Sequence, residues 1–539
     1  MRRLLCLGVS VFALGLCAPW RPAPAAADVT FTKDIAPILN AKCVQCHRPG
    51  EVAPMPLRTY DEARPYARAI RDKVASRQMP PWFADRAVGS FSNDPSLTDK
   101  EIATIAAWAD NGAPQGNPAD APKPPSFTDG WQLGEPDYIL ELPEVHIPAT
   151  GRDYFPTPNL TLDIKEDHWV RAIEVRPSNR EVTHHTVIFA AGNPMSLMMG
   201  GQDGFFDVLA VWAVGTAPTQ YPEGTGRWIH KGEMLRTNLH YHPNGTPQVD
   251  RTRVGFYFGK GELKKEVVAG LTGAVGFQIP PQATNQEVHS VYVVDQDIDV
   301  VSLFPHMHLR GKDMTITANY PDGRREPLLV VPQYDFNWQL FYYPKTKLRL
   351  PRATRIEVVA HYDNSSGNKH NPDPTRTVHF GETSNDEMMF GMFEFTAPDG
   401  VSPKKPTERS RLSALVDSFP KDTAFSCDLA FGPQPTTLVL HMPRTGDVGH
   451  WYIPEPLGNF NPMEIQQVKW DGNRFSFVSL MLAGGRTARG YYDVTGTLEA
   501  DGAIHGVMTR RGAGANPAPP LQPGQLASYE FSGSRQVGN

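Results

Sequence analysis

Six histidines of this chain stand in three tight pairs. His184 and His185 are adjacent, His240 and His242 frame a tyrosine, and His306 and His308 frame a methionine. On a strand, residues i and i+2 project from one face, so His306 and His308 can share a metal ion. His184 and His185 would point to opposite faces of a regular strand, and can reach one ion only where the pleat is broken. Neutral imidazole suits copper, zinc, iron and nickel, and an added thioether pulls the choice towards reduced copper. Met388, in Thr383-Ser-Asn-Asp-Glu-Met388, is the candidate thioether. A lone histidine is more often structural; three clustered pairs make that a minority reading here.

A second constellation lies near the start, Cys43-Val-Gln-Cys46-His47. A C-x-x-C-H run is the attachment site of a c-type haem, with thioether bonds to both cysteines and the histidine on the iron. The rival readings are a redox dithiol and half of a zinc site. Zinc would need another cysteine pair, which the chain lacks. The sixth iron position needs a further ligand, and a thioether there raises the potential and suits electron transfer. Met79, in Arg77-Gln-Met-Pro-Pro-Trp82, is favoured by its position; Met55, in Ala53-Pro-Met-Pro, is the rival.

The elements that must position these residues are of two textures. Thr59-x-x-Glu62 and Thr98-x-x-Glu101 are capping boxes that open two helices. The second predicts a helix with Ile102, Ile105 and Ala109 on one face, ending near Gly112. Residues 28–115 therefore resemble a small class I-type cytochrome c, helical throughout, and 116–130 reads as a linker. Beyond it, short β-branched and aromatic runs such as Thr186-Val-Ile-Phe and Arg355-Ile-Glu-Val-Val alternate with turn clusters such as Pro243-Asn-Gly. That pattern predicts antiparallel sandwiches. A faint repeat, Leu239-His-Tyr-His against Ala360-His-Tyr-Asp, divides them into 131–272 and 273–398. Residues 399–539 predict a small antiparallel barrel or meander after a short helical run near Ser410 to Ser418.

The order His-His, His-Tyr, His-x-His-x-x-Gly and Asp-Glu-Met resembles the type II copper monooxygenases, which include the peptidylglycine hydroxylating and dopamine β-monooxygenases. The resemblance runs over roughly residues 131–398. It implies two β-sandwich domains, jelly-roll-like, each holding one copper, with the coppers facing each other across a solvent-filled cleft. His184, His185 and His240 would then bind the electron-transferring copper. His306, His308 and Met388 would bind the oxygen-binding, catalytic one. Gly311-Lys312 and Thr383-Ser384 also match the family's surroundings. His242 is a candidate neighbour of the first site, and His361, at the repeat position of His240, reads as structural.

The departures bear on substrate. Thr186 and Ala191 stand where the animal enzymes have methionine and cysteine, and Met307 where they have threonine. Phe304 replaces the arginine that holds a substrate carboxylate, and Phe390 and Met392 replace an asparagine and a tyrosine. A carboxylate would lose its bidentate partner, so a less polar small organic substrate is expected, hydroxylated with O2. The fused haem would refill the coppers from a periplasmic electron donor.

The chain's composition narrows the setting. A length of 539 residues implies several domains. Lys+Arg 52 against Asp+Glu 58 leaves −6 with no basic stripe, which argues against nucleic acid as a partner. Arg2-Arg3, the apolar run Leu4 to Cys17 and Ala25-Ala26-Ala27 have the layout of a secretory leader, residues 1–27. The run is shorter than the ~20 residues a spanning helix needs, and no later segment looks transmembrane, so a periplasmic or secreted product without a membrane span is expected. Five cysteines, two of them in the leader, cannot build a disulfide framework, and Cys427 is expected to be a buried, unpaired thiol. Two other functional classes compete: a haem and copper relay without oxygen insertion, and a copper-binding structural protein. An open thioether site at Met388 discriminates, because a relay needs none.

Overall fold

The computed structural model describes residues 29–49, 51, 53–127, 130–190, 208–274, 277–381, 383–398, 408–418, 423–429, 436–442, 449–452, 463–482, 489–511 and 528–535. The expected leader and Ala191 lie outside them. Strand takes up 42% and helix 12% of the structure, so the protein is β-rich and multidomain. Among the described residues no helix is long and apolar enough to cross a membrane. The chain divides into two compact units, a helical one and a β one.

The helical unit comprises the described residues up to Arg48 with Met55–Ser76 and Leu97–Pro124. Both capping boxes form: Thr59 opens the helix Tyr60–Ala63 and Thr98 opens Asp99–Asp110, each with its glutamate closing the reciprocal bond. Ile105 and Ala109 of the latter are buried with Trp108, and Gly112 takes a positive φ of 84°, where the chain turns away. Trp108 is fully buried and its indole donates to the Pro114 carbonyl at 3.1 Å, so its polar atom is satisfied. Phe31, Leu39, Ile70 and Val74 complete this core.

Residues 77–96, expected to be part of a domain helical throughout, instead fold with the β unit. Arg77 adopts a positive φ of 55° and Pro80 and Pro81 follow, so a helix cannot continue. Trp82 packs against Tyr342 at 4.8 Å between ring centroids, and Phe91 against the same ring at 5.4 Å.

In the β unit, two layers enclose one core of Ile173, Ile188, Leu239 and Phe256. One layer orders the strands Tyr138–Glu141, Arg253–Phe258, His168–Arg176 and Thr225–Ile229; the other orders Asn159–Thr161, Met234–Tyr241, Thr183–Ala190 and Val208–Ala213. A second pair of layers encloses Leu303, Met307, Val358 and Phe393. Its outer sheet runs Gln286–Val293, Arg355–Tyr362, Gly311–Asn319 and Arg325–Val331. Its inner one runs Lys265–Gly273, Met389–Thr396, Ile298–Met307 and Leu348–Leu350.

The boundary expected near residue 272 falls inside a strand. Lys265–Gly273 pairs in parallel with Thr225–Ile229 and antiparallel with Met389–Thr396, so one nine-stranded sheet passes through both layered parts. A glycine permits close packing at this join: a Cβ at Gly226 would lie 2.3 Å from the Val170 carbonyl oxygen. The last part begins with the helix Glu408–Ser418 and closes eight strands into a barrel, in agreement with the expected barrel or meander. Cys427 is buried in its core, and burial pushes its thiol up to about 12.

Candidate metal centres

The first histidine cluster depends on a broken pleat. Thr183–Ala190 pairs with Met234–Tyr241, and the register shifts between Thr183 and His185, placing an irregularity at His184. A bulge re-aims one side chain, and here it lets adjacent histidines reach the same side. Their Nδ1 atoms lie 3.3 Å apart. His240 sits directly opposite His185 in the ladder, and ligand atoms of all three lie within 4.8 Å of one another.

The surrounding hydrogen bonds set which nitrogen faces the cluster. His240 Nε2 donates to the Asp153 carboxylate at 2.7 Å, and His185 Nε2 donates to Asn238 Oδ1 at 3.3 Å. Each ring therefore keeps an Nδ1 lone pair, and among the described residues buried His240 Nδ1 has no hydrogen-bond partner. An unmet buried lone pair is costly, and a cation amid three imidazoles removes that cost. These residues fit a borderline or soft transition metal. Asp153 also accepts from His242 Nδ1 at 2.8 Å and from Ser384 Oγ at 3.2 Å. Burial alone would raise this carboxyl, but His240 and His242 hold it well below the usual carboxylate range. His242 is thus a neighbour that shares Asp153, and its ring is largely exposed. Replacing Asp153 with Asn should weaken metal binding at this cluster by about 10–100-fold, read by competition titration with a chelator.

The second pair sits where Ile298–Met307 ends. His306 and His308 share a side, with ring centroids 5.3 Å apart, while Met307 points into the core. His306 Nδ1 donates to Gln339 Oε1 at 2.9 Å and His308 Nδ1 to the Asp386 carbonyl at 3.2 Å, leaving the lone pair on each Nε2. Gly311 of the His-x-His-x-x-Gly run is explained by close approach, since a Cβ there would lie 2.7 Å from Met307 Cβ. Glu387 accepts the His308 amide at 2.8 Å and the Arg310 amide at 2.6 Å. Burial pushes its carboxyl up to about 8 against those bonds. Met388, half-buried, directly precedes Met389–Thr396, whose register sets Met389 opposite Met307 and Phe390 opposite His306. It therefore lies at the same end of the sheet as both histidines.

The two clusters are neighbours within the β unit. The Phe336 ring stacks on His184 at 4.7 Å and meets His308 edge to face at 5.7 Å, only 9% exposed. Phe304, Phe390 and Met392 share the His306 face by register, so that wall is apolar. His361 lies apart, bonded to Asp313 at 2.6 Å and Glu287 at 3.1 Å, which makes it structural.

Burial and the nearby His240 drive His184 down to about 3, and burial takes His306 to about 4. Burial also holds His185 and His308 well below the usual imidazole range. All four are neutral at neutral pH, the form that binds metal. Unfolded, each titrates near 6.5. Below that pH the unfolded chain takes up protons that the folded chain refuses, so stability is lost as pH falls from about 6.5 towards about 4. The melting temperature of the metal-free protein should drop steadily across that window, and a His306→Asn variant should show a shallower slope by calorimetry.

In the helical unit, Cys43, Cys46 and His47 continue the helix Ala36–Lys42 as a tight turn, with Cys46 and His47 amides donating to the Cys43 carbonyl. His47 Nδ1 donates to the Met55 carbonyl at 3.0 Å, which leaves Nε2 with the lone pair. Neither cysteine is in a disulfide, and burial followed by the nearby Cys46 pushes Cys43 up to about 12. Met55 packs on the same helical core, whereas Met79 belongs to the segment that folds with the β unit.

Asp153, Asn238, Gln339, Phe336 and Glu387 were not singled out in the sequence. Only Glu387, beside Met388 in Asp-Glu-Met, had a signal there; the others sit in ordinary loop or strand contexts. No protein-family model and no curated protein matches this sequence.

Proposed function

We propose that this chain is an exported copper-dependent monooxygenase that hydroxylates a C–H bond of a small organic substrate with O2, using electrons passed through a covalent haem. The observation that carries the reading is the convergence of His184, His185 and His240 around the partnerless Nδ1 of His240, one side chain away from the His306–His308 pair. Two copper ions would supply one electron each to O2, and the haem would return electrons singly from a periplasmic donor.

In this reading His184, His185 and His240 hold the electron-transferring copper, and His306, His308 and Met388 hold the oxygen-binding one. Asp153 and Gln339 orient imidazoles by taking the proton on the far nitrogen, which keeps the ligand lone pair aimed inward. Cys43 and Cys46 carry the haem, His47 is its proximal ligand, and either Met79 or Met55 completes it. The helical unit would be the cytochrome c-like domain, the two layered parts of the β unit the copper domains, and 399–539 a docking module.

The apolar wall bears on substrate. Phe304, Phe341 and Met392 line a small void of about 20 Å³, room for about one water molecule. Its one carboxylate, Glu394, already accepts from Tyr221 at 3.0 Å and Ser302 at 2.8 Å. Among the described residues that line it there is no cation, and the nearby Arg227 already faces Glu394 at 4.0 Å. A neutral, largely apolar substrate suits the face formed by Phe304, Phe390 and Met392 better than a peptide carboxylate does.

The test loads the full protein with copper, supplies isotope-labelled O2 and a panel of neutral and carboxylate substrates, and measures label in the product by mass spectrometry. Label in neutral substrates supports the reading. Reversible copper and haem redox cycling with no labelled product would replace it with the relay.

A further inference from the structure

Between the two histidine clusters stands one loop of the second layered part, and its side chains touch both. Tyr334 pins its start, donating its hydroxyl to the Met307 carbonyl at 2.8 Å and accepting the Met307 amide at 3.1 Å. Phe336 follows, with its ring against His184 and His308. Asp335 caps the turn by accepting the Asn337 amide at 3.0 Å. Trp338 lies against Gly215 of the first layered part, where a Cβ would come within 3.0 Å of its ring. Gln339 ends the run on His306 Nδ1. Phe336 is thus flanked on both sides by pinned residues and largely buried, and its ring also lies 6.2 Å from that of His240.

We infer that Phe336 is a positioning residue shared by the two centres, the dry spacer that sets their separation and carries an electron between them. This rests on the proposed reading of both clusters as metal centres. Three features of the ring suit it to the role. It is apolar and buried, so it keeps water out of the gap. It is rigid, with few torsions to fluctuate. It packs face-on against one ligand imidazole and edge-on against another, so the path between the centres is continuous van der Waals contact. Electron tunnelling decays far less steeply through such packing than across a solvent gap. In the step concerned, the first centre loses one electron and the second gains one. No bond is made or broken, and the haem later restores the electron to the first centre.

The experiment uses the full haem-bearing chain, copper-loaded and reduced, mixed with O2 and substrate without further reductant, and freeze-quenched for electron paramagnetic resonance. In the wild type, the all-imidazole centre should oxidise in the same phase as the thioether-containing one. In Phe336→Ala, that centre should lag by about tenfold or more, with two coppers still bound. Phe336→Leu, which keeps the gap filled but loses the ring, should lag less, and it serves if the alanine variant does not fold. Two bound coppers oxidising together in both variants would overturn the role of Phe336 and leave the monooxygenase reading intact. A wild-type chain that binds fewer than two coppers would instead overturn that reading, and this inference with it.

Discussion

On the proposed reading, replacing Met388 with alanine should cut oxygen incorporation sharply while leaving the first cluster and the haem in place. His306, His308 and Met388 lie at the same end of one sheet, and the loop 383–388 that carries the methionine is tied down on several sides. The Glu387 carboxylate takes two amides, Arg310 donates to the Asn385 carbonyl at 3.0 Å, and Tyr362 donates its hydroxyl to the Met388 carbonyl at 2.8 Å. Because backbone groups rather than the thioether hold this loop, truncating the side chain should leave the fold unchanged. What changes is the softness of the site, which favours the reduced ion that reacts with O2. Labelled product should fall by about 10²–10³-fold, the scale set by losing or misplacing a group at the reacting centre. Copper content should fall by at most one ion, and the haem spectrum should not move. Undiminished product would remove Met388 from the oxygen site and favour a relay.

The second large effect concerns the haem. A double Cys43→Ser, Cys46→Ser variant should lose covalent haem altogether, read as the absence of haem from the chain after denaturing electrophoresis. The geometry explains why both positions matter. The two cysteines and His47 occupy a single turn closed by amide bonds to the Cys43 carbonyl, and the Met55 carbonyl fixes the His47 ring. Serine preserves that turn, so the helical unit should still fold on its buried Trp108 core. Turnover supported by a one-electron protein donor should fall to background. Turnover supported by a small chemical reductant acting directly on the coppers should persist. Equal activity with the protein donor would detach the haem from the reaction. A companion comparison of Met55→Ala with Met79→Ala, by the far-red absorption that a methionine ligand gives ferric haem, identifies the distal position.

Much of this was legible locally. Both capping boxes, the end of the helix Asp99–Asp110 at Gly112, the same-side placement of His306 and His308, and the closing barrel follow from neighbouring residues and from helix or strand periodicity. Periodicity also showed the limit of one inference: His184 and His185 needed a break in the pleat, and its existence depended on how another strand pairs with theirs. Residues 77–96 were misassigned because Trp82 and Phe91 have no local preference for one core; their partner, Tyr342, lies far along the chain. The boundary near 272 failed for a similar reason, since a strand hydrogen-bonds through its backbone to whichever edges approach it.

The sequence by itself determined the donor types, the spacing that puts two cysteines and a histidine in one turn, and the pairs that can share an ion. Only the tertiary structure decided which lone pairs face inward, through Asp153, Asn238 and Gln339. It also decided that one ring, Phe336, touches both clusters. The physical reason is range: chemical identity and local geometry are carried by adjacent residues, whereas orientation and separation are set by hydrogen bonds and packing between residues distant in the chain.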